Sequence, residues 1–283
     1  MKDVQGKCIP KKRRGRLSGL ASTIGGTATV ILTVLLFWDR GDPGLLFYTL
    51  LLLLAACLWV IAGLLFASVE EYAGETSGGG NALGQAMKSL SLLRDDPPFR
   101  HFVITRALLL CSALAAPYFV VLAQNTNDSG LLLGVFLLAS SLASSISATV
   151  WGYMADDSSR RVMIRGALIA SGACPVVGGV AWTFGESEWV GWFYPAGFFV
   201  LSIAHAGVRL GRKTYLVDMA GGNKRTDYTS VSNTVIGVLL LATGGLTALV
   251  SMISDVAVIL TLGAMGLAGA ISATRLREVT EDQ

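Results

Sequence analysis

The sequence predicts an all-α polytopic membrane protein, and three observations carry that prediction. Hydrophobic residues make up 53% of the 283-residue chain against 14% charged, and the mean hydropathy is +0.60, a composition foreign to soluble domains. Eight continuous apolar stretches approach the roughly 20 residues that a helix needs to cross a bilayer. If those stretches alternate in direction, 21 of the 22 basic residues fall on one side, as the excess of Lys and Arg in cytoplasmic loops requires.

Residues 1–16 form a basic leader, followed by the first span, Leu17 to Trp38, and the second, Leu45 to Ala67. The leader resembles that of a secretory signal, but the apolar run is about twice the usual length and lacks a clear cleavage site, so it reads as a retained helix. A polar linker, residues 68–101, contains Gly78, Gly79, Gly80, Pro97 and Pro98. Within it, Asn81 to Leu93 fits an amphipathic helix on the membrane surface and a mobile loop equally well.

Six further spans fill residues 102–275: Phe102 to Ala123, Leu131 to Met154, Val162 to Phe184, Val190 to Leu210, Thr229 to Ser251 and Val256 to Thr274. Residues 276–283 are a polar tail. Continuous apolar runs, in place of alternating ten-residue segments, identify helices and exclude barrel strands. Only Arg40 departs from the one-sided charge distribution, so eight spans with both termini cytoplasmic are expected, in a plasma or bacterial inner membrane.

Enzyme chemistry has little to work with. The chain has two histidines, no H-E-x-x-H, no G-x-S-x-G and no cluster of carboxylates within a span, so no catalytic group, cofactor site or metal site is expected. The stretch Ala206 to Thr214 has the wrong spacing for a phosphate-binding loop and follows an apolar helix instead of a strand. Cys57, Cys111 and Cys174 lie inside apolar runs and Cys8 in the leader, so no disulfide framework is expected.

His205 is the deepest ionisable residue, fitting either a pathway residue or a neutral histidine hydrogen-bonded between helices, with the second preferred. Arg106 and Arg209 are expected to snorkel, and Asp218 to pair with one of the basic residues preceding it. Tyr118, Gln124, Asn233 and Thr234 fit polar pathway lining and interhelical hydrogen bonding alike. Pro117 and Pro175 fit breaks in their helices near a pathway and ordinary membrane-helix prolines alike, and Gly263, Gly266, Gly269 and Ala270 are expected in a close-packing face.

The segment Gly152-Tyr153-Met154-Ala155-Asp156-Asp157-Ser158-Ser159-Arg160-Arg161 concentrates the polar information. Gly152 allows two helices to approach, Asp156 suits the positive N-terminal end of a nearby helix, and Arg160 is placed to pair with it. This pattern resembles the cytoplasmic gate motif of major facilitator superfamily transporters, G-x-x-x-D-x-x-G-R-[RK], with Gly152, Asp156, Arg160 and Arg161 at the matching positions. Ser159 stands where the family usually has Gly, and Asp157 where it often has a basic residue.

The resemblance implies that this is the second of two motif copies and that the chain corresponds to family helices 5 to 12. It would then comprise the last two helices of one bundle, residues 17–67, and the whole of a second six-helix bundle. That chain is about four helices short of the family arrangement. A weak internal repeat points the same way, aligning Arg14 with Arg225, Thr23 with Thr234 and Gly26 with Gly237.

The resemblance further implies that Asp156 meets the start of the first span near Arg16, Leu17 and Ser18. The reciprocal contact near Tyr228 would have no donor in this chain. The function implied is secondary active transport of a small solute by alternating access, with the bilayer, the solute and a coupling ion as partners and no nucleic acid. No acidic residue falls inside a span, so the sequence offers no carboxylate for proton coupling. A non-transporting membrane scaffold or regulatory subunit derived from a transporter half is the alternative.

Overall fold

The computed structural model describes residues 9–37, 45–70, 90–126, 131–185, 187–220 and 224–279, and among them no strand occurs. The helices are α1 (Lys11–Phe37), α2 (Leu45–Ala67), α3 (Leu92–Asp95), α4 (Pro97–Cys111), α5 (Ala116–Thr126), α6 (Leu131–Phe184), α7 (Val190–Met219), α8 (Lys224–Ser251) and α9 (Asp255–Thr274). Most of residues 81–93, where a surface helix is one expectation, lies outside the described residues; α3 occupies its last two positions.

Five helices are long and apolar enough to cross a membrane, counted over the described residues: Pro97–Thr126, Gly134–Phe184, Val190–Met219, Asp227–Ser251 and Asp255–Thr274. The protein is therefore an integral membrane protein of the helical type.

Local chemistry explains the boundaries. Asp96 caps α4 by accepting the Phe99 N–H at 3.0 Å, and Pro97 and Pro98 occupy first-turn positions whose N–H groups would have no helical partner. Between α4 and α5 the chain tightens into a 3₁₀ turn, Ser112–Ala115. Pro117 just beyond lacks an N–H, so the α-helical ladder cannot run through unbroken, and the two helices act as one bent span. Ser254 caps α9 through the Ala257 N–H at 3.0 Å.

The expected polar turn at residues 155–161 is far tighter than a loop. Helix runs through it except at Ser158, whose backbone is extended (φ −159°, ψ 104°) and whose hydroxyl accepts the Arg161 N–H at 3.1 Å, an N-cap for the second arm of α6. Phe136 packs on Phe198 and Trp151 reaches Ile203, so the first arm runs with α7. Gly211 faces Met163 and Gly197 faces Val177, so the second arm runs back. The chain thus reverses at one residue, and each arm, at about 1.5 Å per residue, is about 40 Å long.

Helix α7 fills the angle between the two arms, and α9 closes on the second arm and on α4. The expected small-residue face of α9 makes these contacts: a Cβ on Gly263 would lie 2.6 Å from the Cys174 Cβ, and one on Gly269 2.9 Å from the Leu109 amide nitrogen. Two apolar cores result. One, at the Asp156 end of the bundle, gathers Phe99, Phe102, Met163, Tyr215 and Tyr228. The other, at the opposite end, gathers Phe119, Phe136, Cys174, Tyr194 and Ile259. Outward faces carry Leu52, Trp59 and Leu64 on α2 and Leu241 and Leu249 on α8, side chains suited to hydrocarbon.

Candidate functional site

The contact between α1 and the first arm of α6 is built from small residues. Gly15, Gly19 and Gly26 repeat along one stripe of α1 and meet Gly152, Ala148 and Ser145. A Cβ on Gly152 would lie 2.7 Å from the Gly15 carbonyl oxygen, and one on Gly15 2.7 Å from an Asp156 carboxylate oxygen. Side chains at these positions would wedge the helices apart, so glycine is required by space and not by backbone angle. Thr23 and Thr149 share a hydrogen bond of 2.8 Å farther along the seam.

That proximity places Asp156 at the N-terminal turns of α1. Its Oδ1 accepts the Gly15 N–H at 2.8 Å, its Oδ2 lies 3.3 Å from the Arg16 N–H, and the Arg16 Nε is 3.1 Å away. The Asp156 side chain is 3% exposed and that of Arg16 52%. The backbone bonds and the positive helix end therefore do more to hold the carboxylate than the solvated guanidinium does. Arg16 also lies over the Tyr153 ring, 4.8 Å from its centroid. Leu17 and Ser18 do not bond Asp156; they line the adjacent cleft.

Arg160 does not pair with Asp156, contrary to expectation. Ser158 turns the chain between them, and Arg160 instead donates to the Leu276 carbonyl at 2.9 Å and faces Glu278 at 3.3 Å. Ser158 donates to Glu278 at 2.6 Å, and Tyr215 to the Arg277 carbonyl at 2.7 Å. Leu276 and Val279 are buried, so the segment after α9 is tied across the reversal point of α6. Arg161 contributes its backbone N–H to the Ser158 cap while its side chain is exposed.

Two long-range pairs also tie the helices together. Asp218 pairs with the distant Arg14 on α1 at 2.7 Å, both side chains buried. A pairing 204 residues apart leaves no local signal in the sequence. Tyr228, near the start of α8, donates to Asp96 and stacks on Phe99.

A cleft of about 800 Å³ opens beside the seam, between α1, the first arm of α6 and α7. Serines 18, 22, 140, 141 and 144 line it, and α7 contributes Arg209 and Lys213. Arg106 does not snorkel; it is buried and turns inward, donating to Ser232 at 2.6 Å and to Asn233 at 3.0 Å. Asn233 is thus a partner of Arg106 on α8, away from the cleft.

His205 is on α7 near the Ser112 backbone, with its Nε2 buried and lacking a hydrogen-bond partner among the described residues. Tyr118 packs against the core at the opposite end of the bundle, Gln124 is exposed, and neither lines the cleft. Of the three candidate pathway residues, none therefore lines the cleft, and the cations Arg209 and Lys213 do. The repeat partners differ in surroundings: Gly26 meets Ser145, whereas a Cβ on Gly237 would meet open space. The chain matches no protein-family model, no curated protein and no solved structure.

Proposed function

We propose that the protein is a secondary transporter of the major facilitator type, moving a small solute across the membrane by alternating access, with eight spans and both termini cytoplasmic. The observation that supports this reading is the Asp156 tie. A buried carboxylate on the reversing turn of α6 grips the N-terminal turns of α1 through two backbone N–H groups, beside a cleft between the same two helices that several serines line. Such a tie can open: it rests on hydrogen bonds and a glycine seam and not on an interlocked apolar core. Closing it brings α1 and α6 together at one end of the cleft, and releasing it widens the cleft toward that side.

Accessibility tests the reading without knowledge of the solute. In the full chain, with its native cysteines replaced, a cysteine at Ser144 in the cleft is treated with an impermeant maleimide from each side of sealed, oriented vesicles. Alternating access predicts that the same cysteine is labelled from both sides. Labelling confined to one face under all conditions would assign the chain to a static scaffold.

A further inference from the structure

Among the described residues, no carboxylate pairs with the cations beside the cleft. Arg209 and Lys213 line it, Arg212 lies between them on α7, and Arg106 reaches toward α8 from α4 within charge–charge range of Arg212. Among the described residues none of the four is paired with a carboxylate; Asp218, the nearest acid along α7, is committed to Arg14. Gly211 packs against Ser159 at the reversal of α6, so Arg209, Arg212 and Lys213 gather at the level of that turn, with Arg209 exposed to the cleft.

Clustered cations repel one another, most strongly where one is buried as Arg106 is, and such an arrangement is stable only if solvent or a bound anion neutralises it. The fixed environment favours the anion. Arg106 is held by neutral acceptors, the Ser232 hydroxyl and the Asn233 carbonyl oxygen, which orient a guanidinium without cancelling its charge. The cleft opposite Arg209 and Lys213 supplies the hydroxyls of Ser22, Ser141 and Ser144, donors that suit carboxylate, sulfate or phosphate oxygens. His205, one turn from Arg209 on α7, adds no negative charge.

We propose that the solute carried by this protein is a small anion, bound in the cleft through Arg209 and Lys213 with Arg212 and Arg106 supplying the surrounding positive field. The proposal deepens the transporter reading and rests on it for the word solute; the anion site itself does not. An anionic lipid headgroup has the same chemistry, and the test separates the two sources.

The full chain, purified in a neutral detergent, is titrated at constant ionic strength with inorganic phosphate, sulfate and succinate, and with glucose and ethanolamine as neutral and cationic controls, following thermal unfolding. At least one anion is expected to raise the Tm saturably, with the apparent Kd weakened about tenfold or more in Arg209→Gln and Lys213→Gln but retained in Arg209→Lys. The same titration is run in nanodiscs of phosphatidylcholine and of phosphatidylglycerol. Stabilisation by phosphatidylglycerol that no soluble anion reproduces or displaces would overturn the proposal, as would an equal response in the charge-removed variants or no response to any anion.

Vesicle uptake then separates the two layers. Anion binding without transport removes the transporter reading and leaves the site. Uptake of a neutral or cationic solute that is indifferent to Arg209→Gln removes the anion proposal and leaves the transporter.

Discussion

Replacing Asp156 with Asn removes one charge from the α1–α6 contact and almost no volume. The native carboxylate accepts the Gly15 N–H at 2.8 Å, a charge-assisted bond of about 1.5–3 kcal/mol. Arg16 is half exposed, so its ion pair adds at most about 1 kcal/mol. Asparagine keeps one neutral acceptor, worth about 1 kcal/mol, but must aim its amide N–H₂ toward the Arg16 donors. The net loss is about 2 kcal/mol, which shifts the closed-to-open ratio of this contact about thirtyfold.

Hydrogen exchange reads that ratio directly, because amides of α1 that exchange through local opening speed up in proportion. Peptides covering residues 15–24 should exchange about thirtyfold faster in Asp156→Asn, while peptides from α9 keep their rates. Unchanged exchange in residues 15–24 would show that Asp156 does not hold the two helices together. An equal acceleration in α9 would show that the substitution unfolds the bundle without opening a specific contact.

Three further outcomes follow from the same geometry. Gly152→Val drives a side chain toward the Gly15 carbonyl and should cost about 1–3 kcal/mol, read as a lowered Tm; an unchanged Tm would mean the seam is looser than described. Arg14→Ala removes the ion pair on the Asp218 side chain, 1% exposed, and should destabilise by about 3 kcal/mol, whereas Arg14→Ala with Asp218→Ala should cost clearly less than the two single losses together; additivity in that double-mutant cycle would deny the pairing. Glu278→Ala removes the acceptor shared by Ser158 and Arg160, so trypsin should cut after Arg275 and Arg277 about tenfold faster at an unchanged global Tm; equal cleavage rates would show that the tail is not tied there.

Much of this architecture was legible because membrane spans announce themselves one segment at a time. A helix in hydrocarbon satisfies its own backbone and needs only a long apolar run, so α2, α7, α8 and α9 begin within a few residues of where composition places them. The ends read less well: α7 continues to Met219, well beyond the expected Leu210, because its last two turns are amphipathic and buried beside Phe102 and Tyr228. The α1 stripe was not read from the sequence: Gly15, Gly19 and Gly26 recur at helical spacing, but spacing alone does not say which helix they meet.

Sequence alone determined the helical class, the apolar lengths and the position of a carboxylate at a chain reversal, all properties of contiguous residues. Tertiary structure decided which partner each polar group takes. Asp156 took the backbone of α1, Arg160 the segment after α9, Asp218 the distant Arg14, and Arg106 the acceptors of α8. The physical reason is the same in each case. A buried polar group must be satisfied by whatever donor or acceptor the helix packing brings within about 3 Å, and that neighbour is set by glycine seams and crossing helices, not by distance along the chain.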